Sequence, residues 1–260
     1  MFLLGCTAVR VAIAVSMLPL IAVGAPQHRD RGVPQPQRYA ALLAKARAGT
    51  LRINHGEAPE APHFFLFARA AGTGPASEIF PPTSYRAAAK TSFATGTLQS
   101  FSSLDALFNP LPTDAKMSHD FPPLVTNAHN TSPRTAPEKR NVKVNAWIYW
   151  VGKESDHDYH VMLGSTSQLT NATVFMNSEV SGLPSATPTK SPFPQRRADI
   201  KAILAHHDNA KGLFVHPVPV TVAGSLLWDG EHRAPNTVGP EGLQPAKAWE
   251  IHPIKQLAER

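Results

Sequence analysis

Residues 142–163, VKVNAWIYWVGKESDHDYHVML, predict two β-strands joined by a short acidic loop. The first half of this stretch alternates between an apolar face and a mixed one, which is the period of two that a half-buried strand shows. The apolar face consists of Val142, Val144, Ala146, Ile148 and Trp150. Residues 152–157 are polar and begin with a glycine, so they predict the turn, and residues 158–163 supply the second strand.

Downstream of this pair the pattern predicts three more strands and one helix. The strands are expected at residues 173–180, 218–228 and 248–257, and the helix at residues 195–206. The order strand, strand, strand, helix, strand, strand matches the OB-fold, a small five-stranded Greek-key barrel. We therefore predict a mainly β protein whose residues 141–258 form an OB-like barrel with one helix between strands three and four.

The N-terminal part of the chain predicts an export signal followed by a poorly ordered region. Residues 11–23 are apolar, and Val23 and Ala25 are the small residues that signal peptidase accepts, so residues 1–25 are predicted to be a signal peptide. The run is shorter than the roughly 20 apolar residues of a membrane span, so we expect a secreted or periplasmic protein with no stable span after cleavage. Residues 26–140 are rich in proline and alanine and are predicted to be largely irregular, with a short helix near residues 38–48.

The number of cysteines and the net charge exclude some classes of function for this protein and disfavour others. The only cysteine, Cys6, lies in the predicted signal, so the mature chain has no thiol for catalysis, for a disulfide or for zinc. The formal charge of +6 permits anionic partners, but the basic residues are scattered and form no dense tract. The loops expected to bind ligand are acidic and would repel phosphate, so nucleic acid is a possible partner that the sequence does not favour.

Polar side chains occur where an OB-fold binds its ligands. Such ligands lie across strands two and three and contact the loops that join strands one to two and four to five. The first of these loops carries Asp156 and His157, and Asp158 and His160 share one side of the strand that follows. Together with Trp228, at the end of strand four, these are the predicted ligand-binding residues.

A second set of residues predicts a divalent metal ion. Asp229 and His232 follow strand four, and Glu250 and His252 share one face of strand five. Carboxylates and imidazoles are suitable ligands for zinc and similar ions, and the four converge if strands four and five are neighbours. With strand three between strands two and five, His160 is expected about 10 Å away, at roughly 4.8 Å per strand. No His-Glu-x-x-His motif is present, so a structural polar network that pins the loop between strands four and five is the alternative.

Three segments of this domain resemble the recurring segments of a family of exported bacterial proteins that has no established activity. They are ESDHDYH at residues 154–160, GSLLWD at residues 224–229 with His232, and AWEIHP at residues 248–253. The resemblance covers about residues 141–257 and implies a bacterial, extracytoplasmic setting. It implies no mechanism.

The leading hypothesis from the sequence is an exported, non-catalytic binding module whose acidic and histidine-bearing loops bind a polar ligand or a partner protein. Two alternatives stay open. One is a divalent-metal-dependent hydrolase that uses Asp229, His232, Glu250 and His252, and the other is binding of single-stranded nucleic acid or glycan through strand aromatics. The sequence has neither a Gly-x-Ser-x-Gly elbow nor a glycine-rich phosphate loop, which weighs against nucleophilic catalysis.

Overall fold

The computed structural model describes residues 35–56, 78–184 and 191–260 of the chain. The predicted signal peptide, residues 1–25, lies outside the described residues. Within the described ranges, no helix is both long enough and apolar enough to cross a membrane.

Most of the regular structure is β. In the described part of the chain the strands are β1 (Ile53–Asn54), β2 (Leu98–Phe101), β3 (Asn141–Lys153), β4 (Tyr159–Gly164), β5 (Phe175–Val180), β6 (Asn209–Ala210), β7 (Leu213–Trp228), β8 (Gly239–Pro240) and β9 (Trp249–Glu259). The helices are α1 (Gln35–Ala48), α2 (Ala87–Lys90), α3 (Leu104–Phe108), α4 (Asp114–Asp120), α5 (Pro123–Thr126) and α6 (Phe193–His206). Single 3-10 turns lie at Ala136–Glu138 and Gly230–His232.

Seven strands form one mixed sheet in the order β2-β3-β4-β5-β9-β7-β6, and β1 pairs with β8 separately. The long strand β3 has two antiparallel partners on its sides, because residues 141–148 pair with β7 while residues 147–153 pair with β4. The register shifts between Ile148 and Trp150, at the place where the two pairings overlap. The pairings β5–β9 and β2–β3 are parallel.

The predicted mainly β fold is confirmed, but the predicted number of five strands is too low. The five predicted strands correspond to β3, β4, β5, β7 and β9, with α6 between the third and the fourth. The additional strands are two to four residues long. An alternating pattern is recognised over about four to eight residues, so strands this short carry too little of the pattern to be predicted.

The segment before β3 packs into the same apolar core as the long strands. Ser103 and Thr113 cap α3 and α4 by accepting hydrogen bonds from the backbone amides of Ala106 and Lys116. These short helices bury Leu104, Leu107, Phe108, Met117 and, through the neighbouring turns, Leu111 and Leu124. Each such side chain contributes about 1.5–3 kcal/mol when it is fully buried. Residues 104–124 therefore belong to the structure that holds the sheet together.

Two buried arginines connect this segment to the end of the sheet. Arg86 forms two parallel hydrogen bonds to the Glu138 carboxylate, at 2.7 and 2.9 Å, and also donates to the Trp228 carbonyl. Arg134 donates to the carbonyls of Leu226 and His252, which lie on β7 and β9. The segment is thus fixed to the strands that carry the predicted metal ligands.

The strands β4, β5 and β9 have two chemically different faces. Tyr159, Val161 and Leu163 of β4, Met176 and Val180 of β5, and Ile251 of β9 point into the main apolar core. Because side chains alternate along a strand, the intervening residues lie on the opposite face. Those residues include His160, Asn177, Glu179, Glu250 and His252, and all are buried.

Candidate metal centre

A cluster of buried ionisable side chains occupies this second face, and we call it the acid–histidine cluster. Every member is at most 7% exposed. Its members are Glu154, Asp158, His160, Asn177, Glu179, Asp229, His232, Glu250 and His252.

Strand register brings the members of the cluster together. His160 on β4 lies directly opposite Glu179 on β5, and Asn177 on β5 lies opposite Glu250 on β9. Asn177 donates its amide to both neighbouring carboxylates, at 2.8 Å to Glu179 and 2.9 Å to Glu250. The amide therefore sets the relative orientation of the two carboxylates.

Asp229 and His232 reach the cluster from the end of β7. The Asp229 carboxylate accepts a hydrogen bond from the Glu231 amide at 2.9 Å and so begins the turn that carries His232. His232 Nδ1 then lies 2.5 Å from Glu250 Oε1 and 3.8 Å from Asp229 Oδ2. Burial disfavours the imidazolium, but Asp229 and Glu250 outweigh it and raise the pKa of His232 to about 9.

Glu179 is the central carboxylate of the cluster. Its Oε1 lies 2.9 Å from His160 Nε2 and 3.9 Å from His232 Nδ1, while its Oε2 lies 2.9 Å from His252 Nδ1. Burial disfavours its charge, yet His160 and His252 outweigh this effect and hold the pKa of Glu179 well below its usual value. Burial likewise opposes the charge of His160, but Glu179 and Glu154 raise its pKa to about 10.

Asp158 completes the cluster on the side of β4. Its Oδ1 accepts a hydrogen bond from the Gly182 amide at 2.5 Å, and its Oδ2 lies 3.3 Å from His252 Nε2. Complete burial, with Asp156 nearby, raises the pKa of Asp158 to about 8.

In three overlapping groups within the cluster, the potential ligand atoms lie close enough together to hold a metal ion. In each, one ligand atom per residue lies within 4.8 Å of the others. The groups are His160, Glu179 and His232; Asp158, Glu179 and His252; and Asp229, His232 and Glu250.

Several buried donor and acceptor atoms of the cluster have no hydrogen bond of acceptable geometry to the described residues. They are Glu154 Oε1, Asp158 Oδ2, His160 Nδ1, Asn177 Oδ1, Glu179 Oε2, Asp229 Oδ2 and His252 Nε2. Six of these seven atoms nevertheless lie 2.8–3.5 Å from a group of opposite charge, as Asp229 Oδ2 does at 2.8 Å from Lys90 Nζ. Buried polar atoms are normally hydrogen-bonded, so a concentration of exceptions in one place indicates a site that accepts a further group.

Residues from the N-terminal segment cover the cluster. Lys90 of α2 is buried beside Asp229, and His55 Nδ1 lies 2.6 Å from Glu154 Oε2. Gly56, with a φ of 79°, packs so close to His232 that a Cβ at this position would collide with the imidazole ring.

A cleft of about 1120 Å³ opens beside this cover. The described residues that line it include Tyr85, Lys90, Glu154, Gly230 and Arg233. Lys90 and Glu154 belong both to the wall of the cleft and to the contacts of the cluster. A molecule in the cleft would therefore lie against residues that contact the buried charges.

Six of the nine site residues that we predicted from the sequence lie together in the structure. Asp158, His160, Asp229, His232, Glu250 and His252 all lie in the cluster. The His160 ring centre lies 5.2 Å from that of His232, nearer than the roughly 10 Å expected from the strand spacing.

The other three proposed residues lie elsewhere. Asp156 and His157 are half-buried in the β3–β4 turn, where Asp156 accepts a hydrogen bond from the Asp158 amide. Trp228 is fully buried in the apolar core, and its indole donates to Asp114 at 2.8 Å. It therefore has no surface to offer a ligand.

Sequence reasoning missed Glu179, Asn177, Glu154, Lys90 and His55. Asn177 and Glu179 alternate with the apolar residues Met176 and Val180 on β5, so a polar face of this strand was visible in the sequence. Lys90 and His55 come from distant segments, and no local pattern marks them.

No protein-family model matches the chain, and neither the curated proteins nor the solved structures contain a match.

Proposed function

We propose that the protein is a binding module and that it holds a divalent metal ion between Asp229, His232 and Glu250. The observation that carries the proposal is their geometry, because one ligand atom from each lies within 4.8 Å of the others in a fully buried setting. Two carboxylates and one imidazole suit zinc, manganese or iron(II).

The unsatisfied atoms support a metal ion over a purely structural network of ion pairs. A network that serves only stability is expected to satisfy its buried lone pairs, because each unsatisfied group costs about 1–3 kcal/mol. Asp229 Oδ2, a buried acceptor of the proposed ligand set, makes an ion-pair contact with Lys90 Nζ at 2.8 Å but has no hydrogen bond of acceptable geometry among the described residues. A cation bound between Asp229, His232 and Glu250 would use this lone pair.

The proposed architecture around this ion is an OB-like barrel. Its support is the set of pairings β3–β4, β4–β5, β5–β9, β9–β7 and β7–β3, which connects five strands in a circuit. Asp229 and His232 would then lie in the connection between strands four and five, one of the two loops that contact ligands in such barrels.

We also propose that the protein acts outside the cytoplasm, as a secreted or periplasmic protein of bacterial type. The support is the signal-like sequence of residues 1–25 and the absence of cysteine from residues 26–260. The resemblance of residues 141–257 to exported bacterial proteins agrees with this setting.

Metal-dependent hydrolysis is the second candidate function, and the cleft is the observation that favours it. A substrate in the cleft would lie against Lys90 and Glu154, both in contact with the cluster. Binding of nucleic acid or glycan by stacking has less support, because Tyr149, Trp150, Trp228 and Trp249 are all buried.

The proposal predicts that the purified protein, stripped with a chelator, takes up zinc tightly and that His232→Ala weakens this binding more than about 100-fold. The reason is that loss of a residue that only orients a ligand already costs about 10–100-fold, and His232 would be a ligand itself. Zinc affinity is measured by competition with a chromophoric chelator, and circular dichroism checks the fold.

The matched control is His119→Ala, because His119 is an exposed histidine on α4. Its zinc affinity should equal that of the wild type. The proposal is wrong if the wild type takes up no zinc, or if His232→Ala binds zinc as tightly as the wild type does.

A further inference from the structure

We infer that the acid–histidine cluster holds two divalent cations side by side, with Glu179 and Glu250 between them. This inference deepens the proposed function and rests on it. The first ion is the one proposed above, and the second would lie between Asp158, Glu179 and His252.

The first argument is that each ligand group has three residues and that no residue belongs to both groups. Asp158, Glu179 and His252 form one group, and Asp229, His232 and Glu250 form the other. Each supplies two carboxylates and one imidazole, so both groups offer the same donor chemistry. Occupation of one group leaves every ligand of the other available.

The second argument is the orientation of the two central carboxylates. Glu250 Oε1 lies 2.5 Å from His232 Nδ1, while its Oε2 lies 3.4 Å from His252 Nδ1. Glu179 is oriented in the same way, with Oε1 toward His160 and His232 and Oε2 toward His252. Each carboxylate thus presents one oxygen to each ligand group, which is how a carboxylate bridges two ions about 3.5–4 Å apart.

The third argument is that two buried carboxylate oxygens at the second position contact His252 without forming a hydrogen bond of acceptable geometry. Asp158 Oδ2 and Glu179 Oε2 lie 3.3 and 2.9 Å from the two nitrogens of the His252 ring, neither has a hydrogen bond of acceptable geometry to the described residues, and both side chains are completely buried or nearly so. The first ion alone would not satisfy Asp158, because Asp158 belongs only to the second group.

The test is titration of the chelator-stripped full chain with Mn²⁺, followed by equilibrium dialysis and electron paramagnetic resonance. The inference predicts two ions per chain and a spin-coupled spectrum that differs from that of isolated Mn²⁺. Asp158→Asn should leave one ion with an uncoupled spectrum, since the amide keeps the oxygen that accepts from the Gly182 amide. The control Asp120→Asn, at an exposed position on α4, should still bind two coupled ions.

The outcomes separate the two proposals. One ion per wild-type chain overturns the second site and leaves the proposed function standing. Two ions with an uncoupled spectrum overturn the bridging arrangement. No bound ion overturns both the second site and the proposed function. The wild-type count and spectrum decide these cases even if a variant does not fold.

Discussion

We expect Glu179→Gln to lower the free energy of unfolding of the metal-free protein by about 3–5 kcal/mol at pH 7, the usual cost of removing one partner from a buried ion pair. Glu179 is buried and lies 2.9 Å from both His160 and His252. The amide keeps the size of the side chain but removes the charge that raises the pKa of both imidazoles. Two buried histidines then lose the interaction that stabilises their protonated forms.

Urea denaturation in the presence of a chelator measures this effect. The matched control is Glu259→Gln, which removes the same charge from an ion pair with His207 that is largely exposed. Exposed pairs contribute about 0–1 kcal/mol, so the control should unfold near the wild-type midpoint. Equal midpoints for the two variants would show that Glu179 is not the central carboxylate of the cluster.

The second large effect is expected for Arg86→Met, which should also cost about 3–5 kcal/mol. Arg86 and Glu138 are both completely buried and are joined by two hydrogen bonds. Without the guanidinium, the Glu138 carboxylate is left buried without its counter-charge, and the carbonyls of Pro133 and Trp228 lose a donor. Because Trp228 directly precedes Asp229, this loss also loosens the start of the turn that carries His232.

Lys45→Met is the matched control for this substitution. Lys45 forms an ion pair of 2.6 Å with Glu241, but half of its side chain is exposed. We expect a change of about 1 kcal/mol or less in urea denaturation. If Arg86→Met changes the stability no more than Lys45→Met does, then the segment of residues 78–140 does not contribute to the fold in the way described.

The long strands could be predicted because their patterns extend over many residues. Alternation along residues 142–150 located β3, and the polar face of residues 250 and 252 located two members of the cluster on β9. The helices at residues 87–126 could not be predicted in the same way, because elements of four to seven residues do not complete a recognisable period. Their positions are fixed by burial of residues such as Leu104 and Leu107 against the sheet.

The position of His160 shows that strand spacing alone does not determine which side chains come close together. In a flat sheet β5 lies between β4 and β9, so strand spacing alone places His160 far from Glu250 and His252 on β9. In the structure, β5 places the Glu179 carboxylate in this gap, where it contacts His160 on one side and His252 on the other. His232 enters from the loop after β7 and not from a strand, so its distance to His160 was not set by strand spacing.

The most direct test of the central claim is an anomalous difference map at the zinc edge from crystals of the zinc-loaded protein. The proposed function predicts a peak bonded to His232 Nδ1 and to carboxylate oxygens of Asp229 and Glu250, at the roughly 2.0–2.2 Å typical of zinc with nitrogen and oxygen ligands. Peaks found only at exposed histidines such as His119, with no density inside the cluster, would contradict it. The acid–histidine cluster would then be a network of buried ion pairs whose role is to hold the sheet and its N-terminal cover together.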